Sequence, residues 1–337
     1  MVGPDGALAL PWLEEPLRRA LATQRGHALL IHGPQGVGQF ELALTLAQAW
    51  LCESEEGARP CGRCASCRLV QAHSHPDLLV LLPEALREPL GWALDDDADG
   101  AGDDKAGKRK PSKDIRVDDI RQAIGFAQTT SARGRAKVVV IHPAERMNVI
   151  SANALLKTLE EPPGQARMLL GCAAPDALLP TIRSRCQAVP LALPDPVVAA
   201  RWLADRSVAR PDVMLAATGG QPQEALAWAR DGIDAGQWVA LPRQLARGET
   251  GALAAWPLPL VVDAMQKVCH DAMRVAAGAA PRYFPPAALP PAAPLTALAA
   301  WARELRRNAE FAEHPWNAGL MVESLTQQAC QALAARP

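Results

Sequence analysis

The stretch Ala28-Leu29-Leu30-Ile31-His32-Gly33-Pro34-Gln35-Gly36-Val37-Gly38-Gln39-Phe40 decides how the chain folds. A working phosphate-binding loop runs strand, G-x-x-x-x-G-K-[ST], helix. Its glycines let backbone N–H groups approach a phosphate, its lysine meets the β- and γ-phosphates, and its hydroxyl binds magnesium. Here 28–31 reads as the strand, 41–50 as the helix, and Gly33, Gly36 and Gly38 keep the turn. Gln39 stands in place of the lysine and Phe40 in place of the hydroxyl. A neutral amide does not neutralise phosphate charge, and a phenyl ring holds no metal ion. Taken alone, the octapeptide is also compatible with a glycine-rich turn unrelated to nucleotides, and the rest of the chain has to decide.

A phosphate-binding loop is normally accompanied by a second, acidic motif at the end of an apolar strand, where an aspartate holds magnesium and the next glutamate polarises water. Lys137-Val138-Val139-Val140-Ile141 is the clearest strand in the sequence, and it runs into His142-Pro143 where those carboxylates belong. Glu145 lies beyond them and reads as a surface or helix-start residue rather than a substitute. Two motifs lack the same chemistry, which points to a nucleotide-hydrolase fold that does not hydrolyse, with no ATP expected as a cofactor.

Working outward, strands are expected over 75–82 (a buried one, ended by Pro83), 115–117 and 167–172. Helices are expected up to residue 22, over 118–129 with Asp118 or Asp119 as cap, and over 153–161, stopped by Pro162-Pro163. This alternation predicts a three-layer α/β fold with a parallel sheet. Residues 84–114 carry Asp95-Asp96-Asp97, Asp103-Asp104 and Lys108-Arg109-Lys110 without apolar periodicity. They read as a disordered surface insertion, with a binding tail as the alternative. From Pro194 onward strand signals stop. Helices near 196–206, 211–217 and 222–231 make a small unit, and a helical region over 236–337 follows, broken by the proline-rich loop 281–294.

At 337 residues the chain is long for one core, and its formal net charge of −1 excludes a blanket of positive charge. No apolar run of membrane-spanning length occurs, and no basic segment followed by an apolar core opens the chain. The expectation is therefore a cytoplasmic protein with no membrane partner. Of the eight cysteines, Cys52, Cys61, Cys64 and Cys67 have the spacing of a closed tetrahedral zinc site, Cys52 at a helix end completing two C-x-x-C steps. Four thiolates leave no position for water, so such a zinc is structural. Unliganded thiols are the plain alternative, and His73 and His75 are weaker ligand candidates. Cys172, Cys186, Cys269 and Cys330 read as buried thiols. Finally, Thr181-Ile182-Arg183-Ser184-Arg185-Cys186-Gln187 is either an arginine-rich turn with a helix-end salt bridge or an arginine finger aimed at a phosphoryl group.

His27-Ala28-Leu29-Leu30, the cysteine cluster, His75-Pro76-Asp77, Lys137-Val138-Val139-Val140-Ile141, Asn153-Ala154-Leu155-Leu156-Lys157-Thr158-Leu159-Glu160-Glu161-Pro162-Pro163 and Ser184-Arg185-Cys186 follow one another in a characteristic order. With them the chain resembles the AAA+ clamp-loader family, and within it the delta-prime branch of bacterial DNA polymerase III. Matching motifs run from residue 27 to 230, and Glu313-His314-Pro315-Trp316-Asn317 with the helix after it fits the family's C-terminal collar. The cysteine cluster alone does not separate this branch from the ATP-binding gamma/tau relatives.

The resemblance implies an AAA+-type core over 1–193 with a zinc module at 52–67, a helical lid over 194–235 and an all-α collar over 236–337. It implies a clamp-loader subunit that helps load a sliding clamp onto primed DNA without hydrolysing ATP, polymerase activity belonging only to the whole complex. Its partners are then gamma/tau and delta subunits, the clamp indirectly, and primed DNA through the assembled ring. Arg185, flanked by Ser184 and Cys186, is by this resemblance the finger that reaches a neighbour's ATP. Family ATPases also carry a lid arginine in a Gly-x-x-Arg-x-Ala-Leu stretch; here Gly220-Gln221-Pro222-Gln223-Glu224-Ala225-Leu226 has Gln223 instead. The insertion at 84–114 is longer than the family leads one to expect and has no assigned role. Two other readings compete. An active gamma-type ATPase needs lysine at 39, serine or threonine at 40 and Asp-Glu at 142–143, all absent. A zinc-based nucleic-acid binder needs basic and aromatic residues around the cysteines, where only Arg59, Arg63 and Arg68 occur and no aromatic.

Overall fold

Every residue of Lys137-Val138-Val139-Val140-Ile141 is buried, as the middle of a sheet covered on both faces requires. The computed structural model of the chain describes all residues except 24–25, 56, 58, 93–110, 311–316 and 335–337. It divides into two compact units, Met1–Pro194 and Asp195–Pro337. In chain order the first contains α1 (Glu14–Thr23), β1 (Ala28–His32), α2 (Gln39–Leu51), α3 (Ala65–Gln71), β2 (Leu78–Leu81), α4 (Glu84–Arg87), α5 (Val117–Gln128), β3 (Lys137–Ile141), α6 (Val149–Glu160), β4 (Ala166–Cys172), α7 (Pro180–Arg183) and β5 (Gln187–Pro190). The five strands are all parallel, in the order β2-β3-β4-β1-β5.

Because side chains alternate along a strand, each central strand feeds two cores. Leu30, Val139, Ile141, Met168 and Leu170 join Ile120 and Ala123 of α5 and Leu155 and Leu159 of α6 in one cluster. The alternate residues Leu29, Ile31, Val138, Val140 and Leu169 are equally buried and belong to the face covered by α2, which packs on β1, β3 and β4. This is the three-layer parallel α/β arrangement that the alternation of elements predicts. α2 itself is apolar on nearly all sides, as a helix enclosed within a fold must be.

Four local expectations change. Residues 115–117 do not form a strand: Ile115 makes a single bridge to Met147, and α5 already starts at Val117 because the Asp119 carboxylate accepts from Arg116 N at 2.9 Å and caps the helix earlier. β2 is an edge strand and only partly buried, with Leu81 its one buried residue. β5, for which no strand was expected, closes the other edge with only Val189 buried. The ends of the expected insertion 84–114 are ordered, α4 being tied to residue 112 by Ala85 N–Ser112 O (3.1 Å) and Ser112 N–Glu84 Oε2 (2.8 Å); 93–110 lie outside the described residues.

The second unit is helical: α8 (Pro196–Ala204), α9 (Pro211–Ala217), α10 (Pro222–Arg230), α11 (Ala235–Ala246), α12 (Leu258–Ala276), α13 (Leu295–Glu310) and α14 (Ala318–Ala334). Its centre is Trp238, fully buried, stacked on Phe284 (4.6 Å between centroids) and packed against Trp228 (5.3 Å). The proline-rich segment that carries Phe284 is pinned by buried Asp271, which accepts from the backbone N–H of Arg282, Tyr283 and Phe284 at 2.7–2.9 Å. Of the collar motif at 313–317, only Asn317 lies within the described residues. Among the described residues no helix is long and apolar enough to cross a membrane.

Candidate functional site

The turn after β1 needs its glycines for reasons of packing and backbone conformation. A Cβ on Gly33 would come within 2.3 Å of Leu191 O, so the first glycine is required by the close approach of the backbone that follows β5. Gly38 caps α2 at φ +105°, a conformation that only glycine adopts without strain. Between them the lysine's replacement turns inward. The buried Gln39 amide donates to Gly33 O at 2.7 Å and to Pro34 O at 2.6 Å. The side chain that should face a phosphate is thereby spent on closing its own loop.

Phe40 does the same for the metal position. Its ring is 5% exposed and stacks on His142, centroids 5.2 Å apart and planes 26° apart. Trp92 meets Phe40 edge-on at 6.4 Å and stacks on His73 at 3.9 Å. Between the turn and the end of β3 the chain thus places the rings of Phe40, His142 and Trp92. Burial lowers the His142 pKa to about 4, so the imidazole is neutral at pH 7. Its Nδ1 is buried with no hydrogen-bond partner among the described residues. Glu145 lies in the turn after β3 and accepts from Ala173 N (2.8 Å) and Ala174 N (3.2 Å), fastening the end of β4.

The four cysteines converge. Cys52 ends α2, Cys64 caps α3, and all four sulfurs lie within 4.8 Å of one another, with Cys52–Cys64 at 3.8 Å and Cys61–Cys67 at 4.0 Å. A tetrahedral zinc with Zn–S bonds of about 2.3 Å sets its sulfurs about 3.8 Å apart. Backbone N–H groups of Cys64 and Cys67 point at Cys61 Sγ (3.3 Å) and Cys64 Sγ (3.4 Å), the kind of support thiolate ligands receive. The Ser54 hydroxyl first, then backbone N–H groups, bring Cys61 down to about 5, whereas burial pushes Cys67 up. A cation at the centre would ionise all four. The two histidines weighed as ligands are engaged elsewhere: His73 on Trp92, and His75 with Ser66 Oγ (3.2 Å) and Asp77 N (3.0 Å).

Arg185 lies between α7 and β5. Its guanidinium meets Glu160 Oε2 at 3.1 Å and donates to Thr181 O at 3.2 Å, and the pair is partly open to solvent. Such an exposed pair is worth about 0–1 kcal/mol, little enough to exchange for a stronger anion. Ser184 donates to Thr181 O, and burial raises the Cys186 thiol to about 12, which makes it a packing residue. The register fixes which end of the strands Arg185 lies at. β5 begins at Gln187, opposite Leu29 near the start of β1, whereas the glycine turn follows the end of β1. A five-residue parallel strand separates the two by about 16 Å. Gln223 is the second residue of α10, in the other unit.

Asp77 is the residue whose role the sequence did not disclose. Fully buried, it pairs with Lys137 Nζ (3.1 Å) and accepts from Ser131 Oγ (3.0 Å), Ala132 N (2.7 Å) and Arg133 N (3.0 Å). It thus fixes the loop leading into β3. Hydrogen bonds from Ala132 N and Lys137 outweigh its burial and keep its pKa below the usual carboxylate value. Its place in His75-Pro76-Asp77 was the only signal.

Comparison with known proteins adds four similarities. Residues 12–195 match the family described as "DNA polymerase III, delta subunit". DNA polymerase III subunit delta' of Pseudomonas aeruginosa is 36% identical over 266 residues, covering 74% of each chain. DNA polymerase III subunit tau of Escherichia coli is 35% identical over 160 residues, 48% of this chain and 20% of that one. Among solved structures, a DNA polymerase III gamma subunit-related protein from Thermotoga maritima aligns with a TM-score of 0.45 and 18% identity, covering 94% of this chain and 98% of that one.

Proposed function

Since this chain belongs to the DNA polymerase III delta-prime family, we propose that it is the non-hydrolysing member of a clamp loader, supplying Arg185 to the ATP site of a neighbouring gamma/tau subunit. Arg185 precedes β5 at the amino end of the sheet's strands, whereas the chain's own glycine turn follows the carboxyl end of β1, which favours a role for it away from that turn; this is the observation that carries the proposal. Its own site is filled by Gln39, Phe40 and His142, which favours a stator over a gamma-type ATPase. Zinc at Cys52, Cys61, Cys64 and Cys67 brings cross-linking of α2 to α3, not chemistry. Residues 194–235 act as the lid and 236–337 as the collar that joins the ring. Delta and gamma/tau subunits are the direct partners, and primed DNA and the sliding clamp are met through the assembly.

The test is reconstitution with partner subunits. Arg185→Ala leaves assembly intact and lowers DNA-stimulated ATP hydrolysis by the complex; clamp loading equal to wild type would refute the assignment. Calorimetry of the chain alone with Mg·ATP is expected to show no binding, and tight binding would restore the ATPase reading.

A further inference from the structure

At the amino end of the first unit's strands, a cavity of about 900 Å³ adjoins one of about 360 Å³. The two share Gly134, Arg135, Gly164 and Gln165 as a common wall, so they form one groove. Arg59, Arg133, Arg135 and Arg167 line the larger part, and no aspartate or glutamate lines it among the described residues. Arg133 is held by Glu53 and Arg59 by Ser54 O (2.6 Å). Arg135 and Arg167 have no carboxylate partner among the described residues. Arg167 rises from β4 opposite Val138 and lies over the Trp50 indole, 4.5 Å from its centroid. A guanidinium half removed from water without a counter-charge is costly, and an arriving anion removes that cost. The loop that presents Arg133 and Arg135 is already pinned by Asp77. The groove is too large for a single phosphate to fill, and it sets a tryptophan beside its cations, the pairing used for single strands.

We propose that this groove binds the sugar–phosphate backbone of one nucleic-acid strand, with Arg135 and Arg167 as phosphate contacts and Trp50 as the ring beside them. Arg185 does not line it, so the groove and the arginine finger stand or fall separately.

Fluorescence anisotropy of labelled oligo(dT) with the full chain, over a range of salt, tests this. Each phosphate contact on a single strand contributes about 0.7 to the slope of log K against log salt, hence about fivefold in affinity at 0.1 M salt. Arg135→Gln with Arg167→Gln therefore lowers the slope by about 1.4 and weakens binding about 25-fold. Arg135→Gln alone, on a loop held by other residues, gives about fivefold, Arg167→Lys keeps the slope, and Arg185→Ala binds as wild type does. Unchanged affinity in the double variant overturns the proposal. So does equal binding of polyglutamate, which would make the groove a site for acidic peptide. Displacement of the strand by micromolar pyrophosphate would assign it to small polyphosphates instead and overturn it as well.

Discussion

Restoring the missing loop residues, Gln39→Lys with Phe40→Thr, is expected to destabilise the first unit and to create no ATPase. Phe40 is 5% exposed and touches His142 and Trp92. Truncating a buried phenylalanine costs about 3–5 kcal/mol, part of it the loss of ring pairs worth about 0.5–1.5 kcal/mol each. Gln39 makes two short hydrogen bonds to the loop, each worth about 1 kcal/mol. A lysine in that position, 4% exposed in the native chain, adds the burial of an ammonium. The double variant should lose about 5 kcal/mol, comparable to the whole stability of many domains. Phe40→Leu, which keeps bulk but loses the rings, should fall about halfway. Urea unfolding followed by tryptophan fluorescence reads both, and calorimetry with Mg·ATP reads nucleotide binding. A double variant within about 1 kcal/mol of wild type, or one that binds Mg·ATP at micromolar concentration, would refute the view that the nucleotide site has been rebuilt as core.

Three further outcomes are expected. His142 is neutral in the fold with a pKa of about 4, against about 6.5 unfolded, so the unfolded chain binds the extra proton between those values. Stability therefore falls as pH drops from about 6.5 to about 4, by about 3 kcal/mol in full, and His142→Phe should flatten that stretch of a stability–pH profile while keeping the stack. Metal analysis of purified protein should find about one zinc per chain, and Cys64→Ser or a strong chelator should lower the thermal midpoint; a midpoint unmoved by both would exclude a structural metal. Asp77→Ala leaves Lys137 buried without its partner and should cost about 3–5 kcal/mol in chemical unfolding, against less for Asp77→Asn.

Much of the first unit was legible because its strands are apolar and covered on both faces. Lys137-Val138-Val139-Val140-Ile141 has one physical solution, and β3 has those limits. The edges were not legible: β5 buries only Val189, so its pattern resembles that of a loop, and Ile115 is held by one bridge whose partner lies 32 residues away. Spacing alone brought the four cysteines together correctly, since two C-x-x-C steps constrain sulfur positions tightly. The packing around the glycine turn and β3 could not be read, because it depends on contacts distant in sequence: Phe40 with His142, Trp92 with His73, Asp77 with the 131–133 loop. Substitutions at 39 and 40 announce a loss. Only the geometry shows Phe40 stacked on His142, Gln39 bonded back to its own loop, and the glycine turn joining β1 to α2.

Under the proposed function, Arg185 acts on the ATP of a neighbouring subunit. Single-turnover ATP hydrolysis by complexes assembled with wild-type chain or with Arg185→Ala tests it most directly, with size-exclusion profiles to establish equal assembly. Loss of a phosphate-directed arginine slows the site it serves on the order of 10³-fold or more. The fast phase should therefore shrink by one site's worth of ATP, with the remaining sites unaffected. A fast phase of full amplitude in the assembled variant would contradict the account.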